Sequence, residues 1–200
     1  IQEIQGVVDL DGDGRQEVIA VASRDVLIFD GLSGQLRWSL PDNIFGETPI
    51  TAVRTVLVGD LTGEEIPDVY VTDSGCGTGG TGRGAVFTFT GPEFGLQVAT
   101  IAGPRENGRC SRWHTLADLN NDGRQEILIT DGQGLNAFDA LTGARYACGA
   151  LPDAPPNGPL PVLPFEDDRP GWLAFMPDRI VTLRLVADEG NQCDGDFIFA

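Results

Sequence analysis

An all-β chain built from repeated four-stranded units is what this sequence encodes. The prediction rests on a returning acidic loop, on the short apolar runs after each copy, and on one turn copied at a matched offset. The loop is Asp9-Leu10-Asp11-Gly12-Asp13-Gly14-Arg15-Gln16-Glu17. It returns as Asp118-Leu119-Asn120-Asn121-Asp122-Gly123-Arg124-Gln125-Glu126, with seven of nine positions identical. A related stretch, Asp60 to Asp68, lies between them, so the loop starts are 51 and 58 residues apart, and a fourth unit aligns at Pro164, 46 further on. Repeats of this length, each with four short strands, point to a β-propeller. A β-sandwich also offers short strands but would not copy a loop and a turn at matched offsets. The expected blades are residues 1–41, 42–105, 106–152 and 153–200. They form either a closed ring of four or an arc of a larger propeller within a single domain.

In the first unit, Gly6-Val7-Val8 supplies the lead-in strand. Val18-Ile19-Ala20-Val21-Ala22 follows the loop as a continuous apolar run, as expected for a strand covered on both faces. Val26-Leu27-Ile28-Phe29 is the third strand. The alternating Gln35-Leu36-Arg37-Trp38-Ser39-Leu40 is the fourth. The turn Asp30-Gly-Leu-Ser-Gly34 reappears in the third unit as Asp139-Ala-Leu-Thr-Gly143, and its closing Gly suits a position of positive φ. The third unit otherwise reads Ile127–Thr130, Leu135–Phe138 and Arg145–Cys148. The second places Val56–Val58 and Val69–Val71 around its loop, then the Gly-rich 74–82, then Ala85–Phe89. The fourth keeps Leu160–Leu163, Trp172–Phe175, Ile180–Leu185 and Phe197–Phe199, after a Pro-rich stretch from Leu151 to Pro164. The Gly-rich stretch reads as a surface hairpin: there is no P-loop Lys, and both flanks are strands.

Carboxylates at alternate positions repel one another unless a cation sits between them. Oxygen-only donors favour a hard ion, calcium before magnesium. In the first loop the expected ligands are the side chains of Asp9, Asp11, Asp13 and Glu17 with the backbone carbonyl of Arg15. In the third they are Asp118, Asn120, Asp122, the carbonyl of Arg124, and Glu126. The second loop offers Asp60, Thr62, Glu64 and Asp68 as a third candidate set, but lacks a Gly after its fifth position. The fourth, Pro164 to Trp172, has only Glu166 and Asp168 at ligand positions and is expected to be empty. An EF-hand is rejected: its Glu at loop position 12 would be Ala20 or Ile129, and its helices would be these strands.

Asp-x-Asp-x-Asp-Gly-x-x-Glu between two short strands resembles the calcium loop of FG-GAP or VCBS-type repeats, the blades of integrin-α-like β-propellers. Phe45-Gly46 and Phe94-Gly95 are the nearest counterparts of the family's Phe-Gly signature. The resemblance implies a calcium-stabilised propeller outside the cell, acting in adhesion or ligand binding. The Asp139–Gly143 turn is also similar to quinoprotein propeller blades, but no constellation for a quinone pocket is visible. Extracellular modules hold calcium at roughly 0.1 to 1 mM. At tenfold saturation one such site stabilises the fold by about 1.4 kcal/mol, which makes the expected role structural.

Composition sets the remaining limits. A chain of 200 residues can bury roughly 70% of its unfolded surface. With 27 Gly and 13 Pro, short strands and turns are favoured over long helices. The net charge is −17, with 13 Arg and no Lys. That balance disfavours nucleic acid, because no basic stripe is available to release counterions. No apolar run spans a bilayer, so membrane insertion is not expected. The chain opens on Ile1-Gln2-Glu3-Ile4, which reads as strand and suggests a mature product or an excised fragment.

The four cysteines form no C-x-x-C pair, and they allow three disulfide pairings in an oxidising compartment. Cys76 follows a second strand and Cys110 precedes the next unit, both opposite the metal loops. That predicts Cys76–Cys110 and, by elimination, Cys148–Cys193, with about 3–4 kcal/mol from each closed loop. His114 lies in a lead-in strand, and neither Ser111 nor Asp118 makes a catalytic case with it. The expected protein is therefore a non-enzymatic calcium-binding module, secreted, at the cell surface or periplasmic. It would serve structure, adhesion or assembly, with a protein or glycan ligand or sister subunits as partners. The alternative is the scaffold of a larger secreted enzyme, quinoprotein-like or acting on polysaccharide, whose active site lies elsewhere.

Overall fold

The computed structural model describes residues 1–22, 24–42, 44–45, 53–73, 83–102, 113–120, 122–130, 134–150, 162–164, 170–175, 180–187 and 195–199. Among these residues there are strands, turns and bends and no helix. The chain divides into two compact units, Ile1–Gly103 and Pro104–Ala200.

The first unit holds two sheets. One contains β1 (Glu3–Val8), β2 (Glu17–Ala22), β3 (Asp25–Asp30) and β4 (Leu36–Ser39) in sequential order. The other contains β5 (Val53–Gly59), β6 (Asp68–Asp73), β7 (Arg83–Thr88) and β8 (Leu96–Ala102), again in order. All neighbours within each sheet are antiparallel. These are the four-stranded, up-and-down blades of the expected all-β fold. The sequence reading did not assign β8, whose polar Gln97 and Thr100 break up its apolar residues.

Burial explains which strands were legible. Every residue of β6 is buried, and so are four of the six in β2. Strands covered on both faces need continuous apolar runs. The edge strands β1 and β4 are largely exposed and carry mixed sequences. Between the sheets lies one core containing Leu10, Ile19, Ile28, Val69, Phe87 and Phe89, with Trp38 and Phe94 packed against it. Trp38 meets Phe87 and Phe89 edge to face at 5.1 and 5.5 Å, and Phe89 meets Phe94 at 4.9 Å. Such pairs add to the area they bury. Gly95 permits this approach. Its φ is +84°, and a Cβ there would lie 2.1 Å from the indole nitrogen of Trp38. Phe94-Gly95 thus stands at the contact between the two sheets.

The second unit contains β9 (Trp113–Ala117), β10 (Glu126–Thr130), β11 (Gly134–Phe138) and β12 (Arg145–Ala150), antiparallel in that order. A second meander runs through β13 (Val162–Pro164), β14 (Pro170–Phe175), β15 (Ile180–Ala187) and β16 (Gly195–Phe199). β16 also lies parallel to β12, with Cys148 opposite Asp196, so the two meanders share one sheet. This edge pairing has no sequence signature, because a single register point carries it. His114 is buried on β9 opposite Ile129. Cys76, Cys110 and Cys193 lie outside the described residues, as does the side chain of Cys148. Both predicted disulfides, the Gly-rich stretch 74–82, and Glu166 and Asp168 of the fourth loop therefore also lie outside them.

Candidate metal centre

In the first three blades the acidic loop joins the first two strands, and the turn between the third and fourth strands lies at the same end. In the first blade the Gly31 N–H donates to the Gln16 carbonyl at 3.0 Å, tying turn to loop. A Cβ on Gly31 would sit 2.2 Å from that carbonyl, which is why the turn has Gly there. The Asp30 carboxylate accepts the N–H of Leu32 at 3.1 Å and of Ser33 at 2.6 Å. The Ser33 N–H, with its hydroxyl, holds the Asp30 carboxyl below the usual carboxylate range. Asp139 repeats the turn, accepting Leu141 N–H at 3.1 Å and Thr142 N–H at 2.7 Å. Burial works against the Asp139 charge, but the Thr142 hydroxyl and N–H outweigh it, and its pKa is also lowered.

The first loop is wound around Asp9. Its carboxylate accepts the N–H of Gly12 and of Gly14, both at 2.8 Å. Gly12 and Gly14 have φ of 74° and 86°, so left-handed backbone lets the loop curl onto Asp9. Asp13 Oδ1 takes the N–H of Arg15 at 2.8 Å. Glu17 is fully buried, and its Oε2 accepts the Leu10 N–H at 3.0 Å. One carboxylate oxygen from each of Asp9, Asp11 and Glu17 lies within 4.8 Å of the others. Among the described residues no other group of three acidic, histidine or cysteine side chains comes so close. Asp13 stands outside this group.

The third loop follows the same template. Leu119 N–H donates to Glu126 Oε2 at 2.7 Å, Gly123 N–H to Asp118 at 2.9 Å, and Arg124 N–H to Asp122 Oδ1 at 2.9 Å. Asn120 bonds to Asp122 through both its amide nitrogen and its oxygen. The Arg124 guanidinium pairs with Asp122 at 2.9 Å, and this bond lowers the Asp122 pKa.

The second loop keeps the winding, but its acids do not converge. Asp60 accepts the N–H groups of Gly63 at 2.6 Å, Glu64 at 3.2 Å and Glu65 at 2.9 Å. Glu65 stands where the first loop has Gly14, and takes the left-handed conformation regardless, with φ of 60°. Asp68 is buried and its Oδ2 collects the Leu61 N–H, the Thr62 N–H and the Thr62 hydroxyl at 2.9 to 3.0 Å. Burial pushes the Asp68 carboxyl above its usual range despite these bonds. Glu64 is drawn to the hydroxyl of Thr90.

Sequence reasoning missed Arg37. From β4, its Nη2 reaches Asp11 Oδ2 and its Nη1 reaches Glu17 Oε1, each at 2.8 Å. Its guanidinium carbon also lies 4.0 Å above the Phe94 ring. A bulge makes this possible. Ile28 pairs with Trp38 and Phe29 with Leu36, so Arg37 is the extra residue. Bulges re-aim side chains in this way. The same bulge leaves Val98 in the second blade and Tyr146 in the third.

The donor set of the first loop fits a hard divalent cation: three carboxylates, two of them partly exposed, with oxygens close enough to share one ion. Residues 9–71, from the first acid of that loop to the middle of β6, match the family model of the FG-GAP-like repeat. This stretch therefore carries an FG-GAP-like repeat, as the loop motif implied. No curated protein matches the chain. No helix among the described residues is long and apolar enough to cross a membrane.

Proposed function

We propose that this protein is a non-enzymatic, calcium-binding module of β-propeller type that works outside the cell in structure, adhesion or assembly. The observation that carries the reading is the convergence of Asp9, Asp11 and Glu17 at the start of the FG-GAP-like repeat. Asp9 and Asp11 would hold the ion from the loop and Glu17 from the strand. The ion would neutralise carboxylates that otherwise repel. The third loop is the second candidate site, on Asp118, Asn120, Asp122 and Glu126; it keeps the backbone template of the first, while its carboxylates do not converge in the same way. The second loop serves as a structural copy, because its carboxylates do not converge as those of the first do. Extracellular calcium at millimolar levels suits such sites, and partners would be proteins, glycans or sister subunits. Melting the wild type in calcium and in chelator tests the reading. Calcium should raise the melting temperature, and the Asp9→Ala, Asp118→Ala double mutant should lose that response. An unchanged wild-type melting temperature would refute it.

A further inference from the structure

We infer that Arg37 is a built-in competitor for the cation of the first loop, so that calcium binds there only by releasing it. The inference rests on the proposed calcium site and adds how its affinity is set. Arg37 takes one oxygen of Asp11 and one of Glu17, two of the three carboxylates that converge. The other Glu17 oxygen is held by the Leu10 N–H and fixes that side chain in place. A calcium ion needs six to eight oxygens at about 2.3–2.6 Å, so it must recruit the oxygens that the guanidinium holds. It would also repel the guanidinium as a like charge. The bidentate grip makes Arg37 an effective rival, since a two-pronged charge-assisted contact is stronger than a point contact.

Release also has a structural consequence. Arg37 rests on Phe94, at the edge of the contact between the two sheets of the first unit, next to Trp38. Exchange of Arg37 for an ion thus alters a contact between blades and not the loop alone. The bulge positions of the other two blades hold Val98 and Tyr146, so neither can supply a competing cation. Among the described residues, the first loop is the one whose carboxylates an arginine from the fourth strand of its blade grips.

Calorimetric calcium titration of the full chain tests this, with the third loop silenced by Asp118→Asn and Asp122→Asn. Against that background, Arg37→Gln should bind calcium about tenfold more tightly, the gain expected when a partly exposed bidentate competitor is removed. In chelator it should melt lower than its parent, and calcium should restore more than it does for the parent. Arg37→Lys keeps the charge without the fork and should show a smaller gain, which keeps the test available if Arg37→Gln folds poorly. Binding by the variant but not by the parent would be competition in its strongest form. Equal or weaker binding in folded Arg37 variants, with the parent still binding, would overturn the competition and leave the site intact. No binding by parent or variants would overturn both.

Discussion

The first and second loops share a backbone and differ in where their acids point. Both curl around a leading Asp that accepts N–H groups three and five residues on. Both end on a buried carboxylate that accepts the N–H of the Leu after that Asp. In the first loop the closing residue is Glu17, long enough to meet Asp9 and Asp11 and to take Arg37. In the second it is Asp68, one methylene shorter, whose Oδ2 takes the N–H groups of Leu61 and Thr62 and the Thr62 hydroxyl. The fold needs only the backbone winding, while a cation needs carboxylates that converge, as those of the first loop do. One repeat can therefore keep its shape without bringing its acids together.

The largest expected effect breaks the contact between the two sheets that carry these loops. Gly95→Ala would place a methyl group against Trp38 at a left-handed position, which should destabilise the fold by about 3 kcal/mol. Denaturant unfolding followed by tryptophan fluorescence would measure it. Next, Asp68→Ala removes the buried acceptor of two N–H groups of the second loop. It should cost about 2 kcal/mol, to the same extent in calcium and in chelator. A calcium-dependent cost would mean that the second loop binds metal after all.

Smaller effects sharpen the backbone half of the comparison. Glu65 holds a φ of 60° that Gly adopts without strain, so Glu65→Gly should stabilise the fold by about 1 kcal/mol. Gly14→Ala, with φ of 86°, should destabilise it by about the same amount in thermal unfolding. The smallest effect concerns acid. The Asp30 pKa is lowered in the folded state, so its contribution is present above the unfolded value and is lost as pH falls through the folded one. Asp30→Ala should therefore lose less stability than the wild type on acidification below about pH 4.

Much of this was legible in the sequence because the relevant signals are local. Residues 69–71 and 19–21 are buried on both faces and read as apolar runs. The loops and the Asp30 and Asp139 turns satisfy their hydrogen bonds within a few residues, so their spacing alone exposes them. What was not legible depends on distant partners. Arg37 meets Asp11 across 26 residues, through a bulge that no pattern of apolar residues marks. Glu65 gave no sign of its left-handed backbone, since the type of residue argues against it. The parallel pairing of β12 with β16 rests on one register point between segments far apart in the chain.

The central claim is that the first loop, and not the second, is open to a cation. Calcium titration of Asp9→Ala beside Asp60→Ala, each with the third loop silenced by Asp118→Asn and Asp122→Asn, tests it most directly. Asp60→Ala should keep the wild-type binding heat of the first loop, and Asp9→Ala should abolish it. Loss of binding in Asp60→Ala with retention in Asp9→Ala would contradict the account.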